Sequence, residues 1–244
     1  VSDGDFRLDN PLLVRWEFAS EERLEKRNAI FQRLGEGDDA EERTFEAVAE
    51  VAPLRVLEVG PGAGALAERI QRELDAEVIA VDASERMVKL TADRGVHAVV
   101  GDVQALPFAD GSFDCVVAGW VLYHVAQLDQ AIAECARVLR PGGRFVASTL
   151  ADENMADLWE LIGRPRERSI TFSSANGLAQ LQRHFPNVAA RDVHGTMIFP
   201  SPAEMRAFIE ASMTRAHLVN DVPDFTEPVS VRTYDTVFVA EKGA

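Results

Sequence analysis

The residues with the most evident chemistry lie in the run Val56-Leu57-Glu58-Val59-Gly60-Pro61-Gly62-Ala63-Gly64. An apolar segment ends in a carboxylate, turns through three glycines, and enters a helix-spaced segment, Ala65 to Leu74. Glycine tolerates positive φ and has no Cβ, so the backbone there can lie against a ligand. The start of the following helix offers unpaired N–H groups and a partial positive charge. The spacing Gly60-x-Gly62-x-x-Ala65 also satisfies a dinucleotide-binding pattern. Asp82, about twenty residues on, can accept hydrogen bonds from ribose hydroxyls with either kind of nucleoside ligand. The loop alone does not select its ligand, and a tight strand-to-helix turn without one is a third reading.

These residues need a scaffold. Arg55 to Val59, Val78 to Val81, Val96 to Val100, Asp114 to Ala118 and Arg144 to Leu150 read as short buried strands. Between them, Ala65 to Leu74, Ser84 to Ala92 and Leu128 to Leu139 have helical spacing, with Ser84 as a cap. Short apolar strands alternating with helices predict a parallel sheet covered on both faces. Before this core, Asn10-Pro11 marks a helix start, followed by Leu12, Leu13, Trp16 and Phe18. A second helix runs from Ser20 to about Leu34, ended by Gly35 and Gly37, and a third opens at Asp38 or Asp39 and stops at Pro53. After the core, Ser174 to Phe185 predicts a helix, Val188 to Val193 a strand, Ser201 a helix cap, Val219 to Val229 a loop, and Thr233 to Ala240 a last strand. The expected organisation is one domain: a helical cap over 1–52, a ligand-binding core over 53–151, and the rest of the sheet with an acceptor-side insertion over 152–244.

Composition restricts partners. The chain has 244 residues, 47% of them hydrophobic, and a formal net charge of -15. That balance disfavours a grip on nucleic acid, which relies on Lys and Arg neutralising phosphates. Lysine is confined to Lys26, Lys89 and Lys242; salt adaptation and the usage of a GC-rich genome both account for this. No run approaches the ~20 apolar residues of a membrane span. Val1 to Asn10 lacks a signal-peptide pattern, so the cytoplasm is the expected location. Cys115 and Cys135 are expected as unpaired, buried thiols. No Cys/His spacing suggests zinc, and Asp152 and Glu153 read as a helix start, so no metal is expected.

Two further segments narrow the ligand. Gly101-Asp102-Val103-Gln104-Ala105-Leu106-Pro107-Phe108-Ala109-Asp110-Gly111-Ser112-Phe113-Asp114 joins the third and fourth core strands, and Leu139-Arg140-Pro141-Gly142-Gly143-Arg144-Phe145 precedes the fifth. In this order, with the glycine loop and Asp82, they resemble class I S-adenosylmethionine-dependent methyltransferases, particularly the small-molecule branch. The resemblance covers roughly Arg55 to Leu150. It implies a Rossmann-like, seven-stranded, mostly parallel sheet with helices on both faces, N-terminal helices and a C-terminal helical insertion.

The resemblance also implies roles. Glu58, Gly60, Pro61, Gly62 and Gly64 would surround the methionine part of the cofactor, and Asp82 would take the ribose hydroxyls. Ala83 and Met87 would line the adenine, although Met87 also reads as plain core. Asp102 would accept from the adenine amino group while the Val103 N–H meets a ring nitrogen; a turn-forming aspartate is the other reading. Asp114 and Leu139 to Gly143 would be structural. Gly119 and Trp120 would border the sulfonium. Trp16, Tyr123 and His124 are acceptor-side candidates, and His124 is either a general base or a packing histidine. The implied reaction is in-line methyl transfer from S-adenosylmethionine to an O, N or C nucleophile of a small molecule, leaving S-adenosylhomocysteine. The first helices and the segment Met197 to Val222 are expected to form a lid. Protein or RNA methylation, a nicotinamide dehydrogenase and a non-catalytic cofactor-binding module are the competing readings.

Overall fold

A computed structural model of the protein describes residues 21–164, 170–212 and 215–243, with side chains from residue 26 onward. The helix start at Asn10-Pro11 and the side chains of Trp16 and Phe18 lie outside the described residues.

The chain begins with helix α1 (Glu21–Leu34), strand β1 (Gly35–Gly37) and helix α2 (Ala40–Ala49). Alternation then sets in: β2 (Arg55–Val59), α3 (Ala65–Leu74), β3 (Glu77–Asp82), α4 (Glu85–Asp93), β4 (His97–Val100), β5 (Phe113–Gly119), α5 (Leu128–Val138) and β6 (Leu139–Leu150). The remainder comprises α6 (Ala156–Leu161), α7 (Gly177–Leu181), β7 (Asn187–Phe199), α8 (Pro202–Glu210) and β8 (Val229–Glu241). Local chemistry sets several boundaries. Asp39, Ser84 and Ser201 cap α2, α4 and α8 by accepting from the backbone N–H of Glu41, Met87 and Glu204, which satisfies donors a helix start leaves open.

All strands join one sheet in the order β1-β7-β8-β6-β5-β2-β3-β4. β4, β3, β2, β5 and β6 run parallel, whereas β8, β7 and β1 are antiparallel additions. Among the described residues the sheet therefore has eight strands, one more than the seven expected, and is mixed, with its larger part parallel. Parallel strands are apolar on both faces. Leu57, Val116 and Phe145 enter one core with Ile132 and Phe172; Val56, Val117 and Val146 enter the other with Phe45, Val48 and Ile70. From β2 the chain steps outward to β3 and β4, then returns on the other side of β2 as β5. The crevice of an open α/β sheet lies at the carboxyl ends of two such strands, here at Val59 and Gly119.

The departures from expectation concentrate in the antiparallel part. Gly35–Gly37 is an edge strand paired with Gly195 to Met197, not merely the end of a helix. The strand expected over Val188 to Val193 is thirteen residues long, as is its partner β8, which takes in the end of the expected loop. The helix expected over Ser174 to Phe185 contracts to Gly177–Leu181. Leu139 already pairs with Phe113, and the chain then bulges through Gly142, at φ 72, before Arg144 pairs with Cys115. β7 and β8 escape pattern reading because they follow no single period: Val229 to Tyr234 of β8 alternate in burial, whereas Asp235 to Ala240, paired with β6 on one edge and β7 on the other, are buried throughout. Pairing with β6 ends at Leu150 opposite Asp235, so Val229 to Tyr234 and their β7 partners project past the carboxyl edge. A third apolar cluster, including Ile30, Leu158, Met197, Phe208 and Val231, packs on this extension.

Candidate functional site

The loop after β2 uses its glycines for backbone geometry. Gly60, Gly62 and Gly64 have φ of 65, 56 and 80, the left-handed region that side chains disfavour. A Cβ on Gly60 would lie 2.3 Å from Cγ2 of Val121, and one on Gly64 would lie 2.7 Å from Oγ1 of Thr91. Two backbone bonds set the turn: Gly60 N–H donates to Val81 O at 2.8 Å and Gly64 N–H to Pro61 O at 2.9 Å. Helix α4 braces it, with Thr91 Oγ1 donating to Gly62 O at 3.3 Å and Arg94 Nε to Ala63 O at 2.7 Å. Gly64, the N-cap of α3, has no side chain to offer the first amides of that helix, and the third of them, the Ala67 N–H, donates to the Glu58 carboxyl instead.

Two carboxylates flank the loop. Glu58, the fourth residue of β2, is 3% exposed. It receives a bond from the Ala67 N–H, while its Oε2 is buried without a partner. Burial first, then Glu41 and Asp82, push its carboxyl up to about 8. Asp82 ends β3, and its Oδ1 accepts from Ser84 N–H at 2.8 Å. Burial raises its carboxyl to about 6, opposed by the Ser84 and Gly62 amides. Ala83 beside it is exposed, and Met87 is fully buried in the first turn of α4. Asp102 is exposed and forms a turn of its own: its Oδ1 accepts from Gln104 N–H at 2.8 Å, and Gln104 Nε2 donates to the same carboxylate at 2.9 Å. Val103 is half-buried against the core beneath β4 and β5. Asp114 stands at the opposite end of the sheet, where Oδ2 accepts from the Leu54 and Arg55 N–H groups at 2.8 and 2.9 Å, as expected for a structural residue.

Across the crevice, Gly119 ends β5 and Trp120 follows with a φ of 50. Its backbone N–H donates to Ser148 O at 3.0 Å, and its indole Nε1–H donates to Asp235 Oδ1 at 2.9 Å. Asp235 is 8% exposed, and burial raises its carboxyl to about 6 against the bond from Trp120. The next turn, Leu122–His124, places Tyr123 in the core and His124 half-buried, with ring centroids 4.4 Å apart edge to face. Thr171 Oγ1 donates to Tyr123 O at 3.2 Å.

Two cavities lie along the projecting ribbon. One, of about 290 Å³, is bordered by Glu153, Ser174, Asp192, His194, Tyr234 and Asp235. The other, of about 460 Å³, shares His194 and Tyr234 and adds Glu36 and Arg232. Both border the carboxyl side of β6 and not the glycine loop. Sequence reasoning missed Asp235 and this ribbon, since no motif links Trp120 to a residue on the last strand. Cys115 and Cys135 are buried free thiols, and burial lifts both to about 12. Among the described residues no helix is long and apolar enough to cross a membrane.

Comparison with known proteins bears on this arrangement. Residues 57–147 match the family model described as a methyltransferase domain. Over 112 residues the chain is 38% identical to malonyl-[acyl-carrier protein] O-methyltransferase of Methylococcus capsulatus, covering 43% of this chain and 41% of that one. It is 34% identical over 137 residues to demethylmenaquinone methyltransferase of Thermobifida fusca, covering 53% and 54%. The chain thus spans about half the length of the curated relatives it matches. The YcgJ protein of Bacillus subtilis superposes with a TM-score of 0.60 at 20% identity, covering 83% of this chain and 99% of that one. The [4+2]-cyclase SpnF superposes at 0.57 with 22% identity, covering 83% and 82%.

Proposed function

We propose, from the premise that this chain belongs to the class I S-adenosylmethionine-dependent methyltransferases, that it transfers a methyl group from that cofactor to an O, N or C nucleophile of a small molecule. One observation carries the reading: three left-handed glycines lie between a buried carboxyl and a helix start whose N-cap is itself glycine, with Asp82 at the end of the neighbouring strand. The residues fit the cofactor. Glu58 Oε2 is a buried acceptor without a donor, a vacancy an ammonium group or an ordered water would fill. The start of α3 suits a carboxylate, and Asp82, held by backbone amides, suits a ribose diol. Asp102 and Val103 are the adenine-side candidates, with Ala83 and Met87 beside them.

The sulfonium supplies an already activated methyl group. The chain's task is then to align the acceptor and exclude water. Gly119 and Trp120 would border the reacting centre, and Tyr123 and the ribbon cavities would shape the acceptor side. His124 would take a proton only where the acceptor must lose one to become nucleophilic. The names of the O-methylating and quinone-pathway relatives favour a small acceptor over a macromolecule. So does the net charge of -15, which disfavours RNA.

Fold alone does not decide chemistry, and the likeness to a cyclase makes a direct test necessary. Calorimetric titration with S-adenosylmethionine, S-adenosylhomocysteine and NAD is expected to show binding of the first two. Asp82→Ala is expected to weaken both by roughly tenfold to a hundredfold, the loss of one or two charge-assisted hydrogen bonds. NAD binding alone would overturn the reading. Cofactor binding without turnover on any acceptor would favour a non-catalytic module.

A further inference from the structure

Trp120 occupies a backbone conformation that a bulky side chain avoids, at a φ of 50. Such a residue persists where its surroundings over-determine it, and such positions cluster at functional sites. Here the restraints are two: the backbone N–H on Ser148 O and the indole N–H on Asp235, 115 residues later in the chain. The second spans the sheet. Trp120 follows β5, Asp235 lies on β8, and β6 runs between them. Asp235 is more than nine-tenths buried, a costly place for a carboxylate. A neutral amide would also accept the indole bond, though less strongly than a carboxylate, so filling the position does not by itself call for a charge. Asp235 also borders the 290 Å³ cavity on the ribbon.

Resting on the methyltransferase reading above, we infer that Asp235 is a positioning residue: through its bond to the Trp120 indole it fixes the acceptor-side wall of the cofactor crevice, and it links that wall to the cavity on the β7–β8 ribbon. When the carboxylate is ionised the indole N–H has a strong acceptor; when it is protonated the bond weakens and the strained segment loosens. The titratable groups around Asp235 are Asp39 at the start of α2 and, around the cavity, Glu153, Asp192, His194 and Tyr234. Asp39 is like-charged and opposes ionisation.

The chain holds three tryptophans, so its indole N–H signals are few enough to follow one by one by nitrogen-15 NMR. The Trp120 signal is assigned by its loss in Trp120→Phe. Adding S-adenosylhomocysteine is expected to move that signal. Lowering the pH of the free protein from about 8 to about 5 is expected to move it with a midpoint of about 6. Asp235→Asn keeps an acceptor and removes the charge, so the pH movement disappears. Asp235→Ala, which leaves the indole unpartnered, is expected to weaken S-adenosylhomocysteine at least about tenfold, and Asp235→Asn at about pH 8 by no more than about threefold. If S-adenosylhomocysteine binds but leaves the Trp120 signal unmoved, or if Asp235→Ala binds it as the wild type does, the positioning role is overturned and the cofactor reading stands. If S-adenosylhomocysteine does not bind the wild type, the cofactor reading itself falls, and this inference with it.

Discussion

At the scale of single residues, the glycine loop separates two costs that are usually confounded. Gly60 and Gly95 both have positive φ, 65 and 84, but a Cβ on Gly60 meets Val121 at 2.3 Å while one on Gly95 meets nothing within 4 Å. Gly95→Ala should therefore cost only the left-handed penalty, about 1–2 kcal/mol, and leave S-adenosylhomocysteine affinity unchanged. Gly60→Ala carries the same penalty plus the clash, and overpacking of this kind typically adds about 1–3 kcal/mol. It should also disturb the crevice through Val121, which leads into the turn bearing Tyr123 and His124. Urea denaturation and calorimetry on the two variants make the comparison; equal stability loss would mean that Val121 yields freely. This part of the site is legible in the sequence because each residue's type answers a local demand. Glu58, the three glycines, Pro61 and Asp82 fall within one βαβ unit, where spacing alone brings them together. Asp235 is illegible for the opposite reason: only the sheet order brings it to Trp120.

At the scale of elements, strand and helix periods reveal the parallel half of the fold. Ala65–Leu74 forms over the expected residues, and β2 through β6 deviate by a residue or two, apart from the bulge at Arg140 to Gly143. These segments are apolar on both faces or have a helical stripe, so burial and period agree. In the β7–β8 ribbon the exposed charges Asp192 and Arg232 and the half-buried Arg191 interrupt the apolar residues, while Asp235 to Ala240 are buried without a break, and its length depends on a partner strand the sequence does not display. The helix that matters most to the site is α4. It touches the glycine loop through Thr91 and Arg94, and Arg94 is also paired with Glu68 of α3 at 2.7 Å. Arg94 is exposed, so its ion pair adds little to stability, whereas its bond to Ala63 O fixes a carbonyl in the loop itself. Arg94→Ala is accordingly expected to weaken S-adenosylhomocysteine by roughly threefold to tenfold, with the unfolding free energy changing by less than about 1 kcal/mol. A stability loss with unchanged affinity would assign Arg94 to packing instead.

At the scale of the whole molecule, charge and burial act together on stability. Glu58 is raised to about 8, and Asp82 and Asp235 to about 6. In each the native state holds its proton more tightly than the unfolded chain. Their contribution is complete below the ordinary carboxylate range and is lost as pH rises through about 6 and then about 8. Glu50 and Asp157 have the opposite sign: their arginine partners hold both at about 2, so their contribution is present above the ordinary range and is lost as pH falls through it. Both belong to partly exposed pairs, which carry less weight. Stability of the ligand-free protein should therefore be highest near about pH 5 and decline toward about pH 8. Glu58, the most deeply buried of the three raised carboxyls, should supply a few kcal/mol of that decline. The formal charge of -15 adds self-repulsion as the remaining carboxyls ionise. Salt distinguishes these sources, because ions screen surface charges beyond about 10 Å at 0.1 M but not a buried group. Urea unfolding at the two pH values, each at about 0.05 and about 0.5 M sodium chloride, is expected to recover only part of the loss with salt. Glu58→Gln should remove most of the remainder. A wild-type midpoint that stays level between the two pH values at low salt would show that Glu58 ionises without penalty, and with that the account of its unpartnered oxygen would fail.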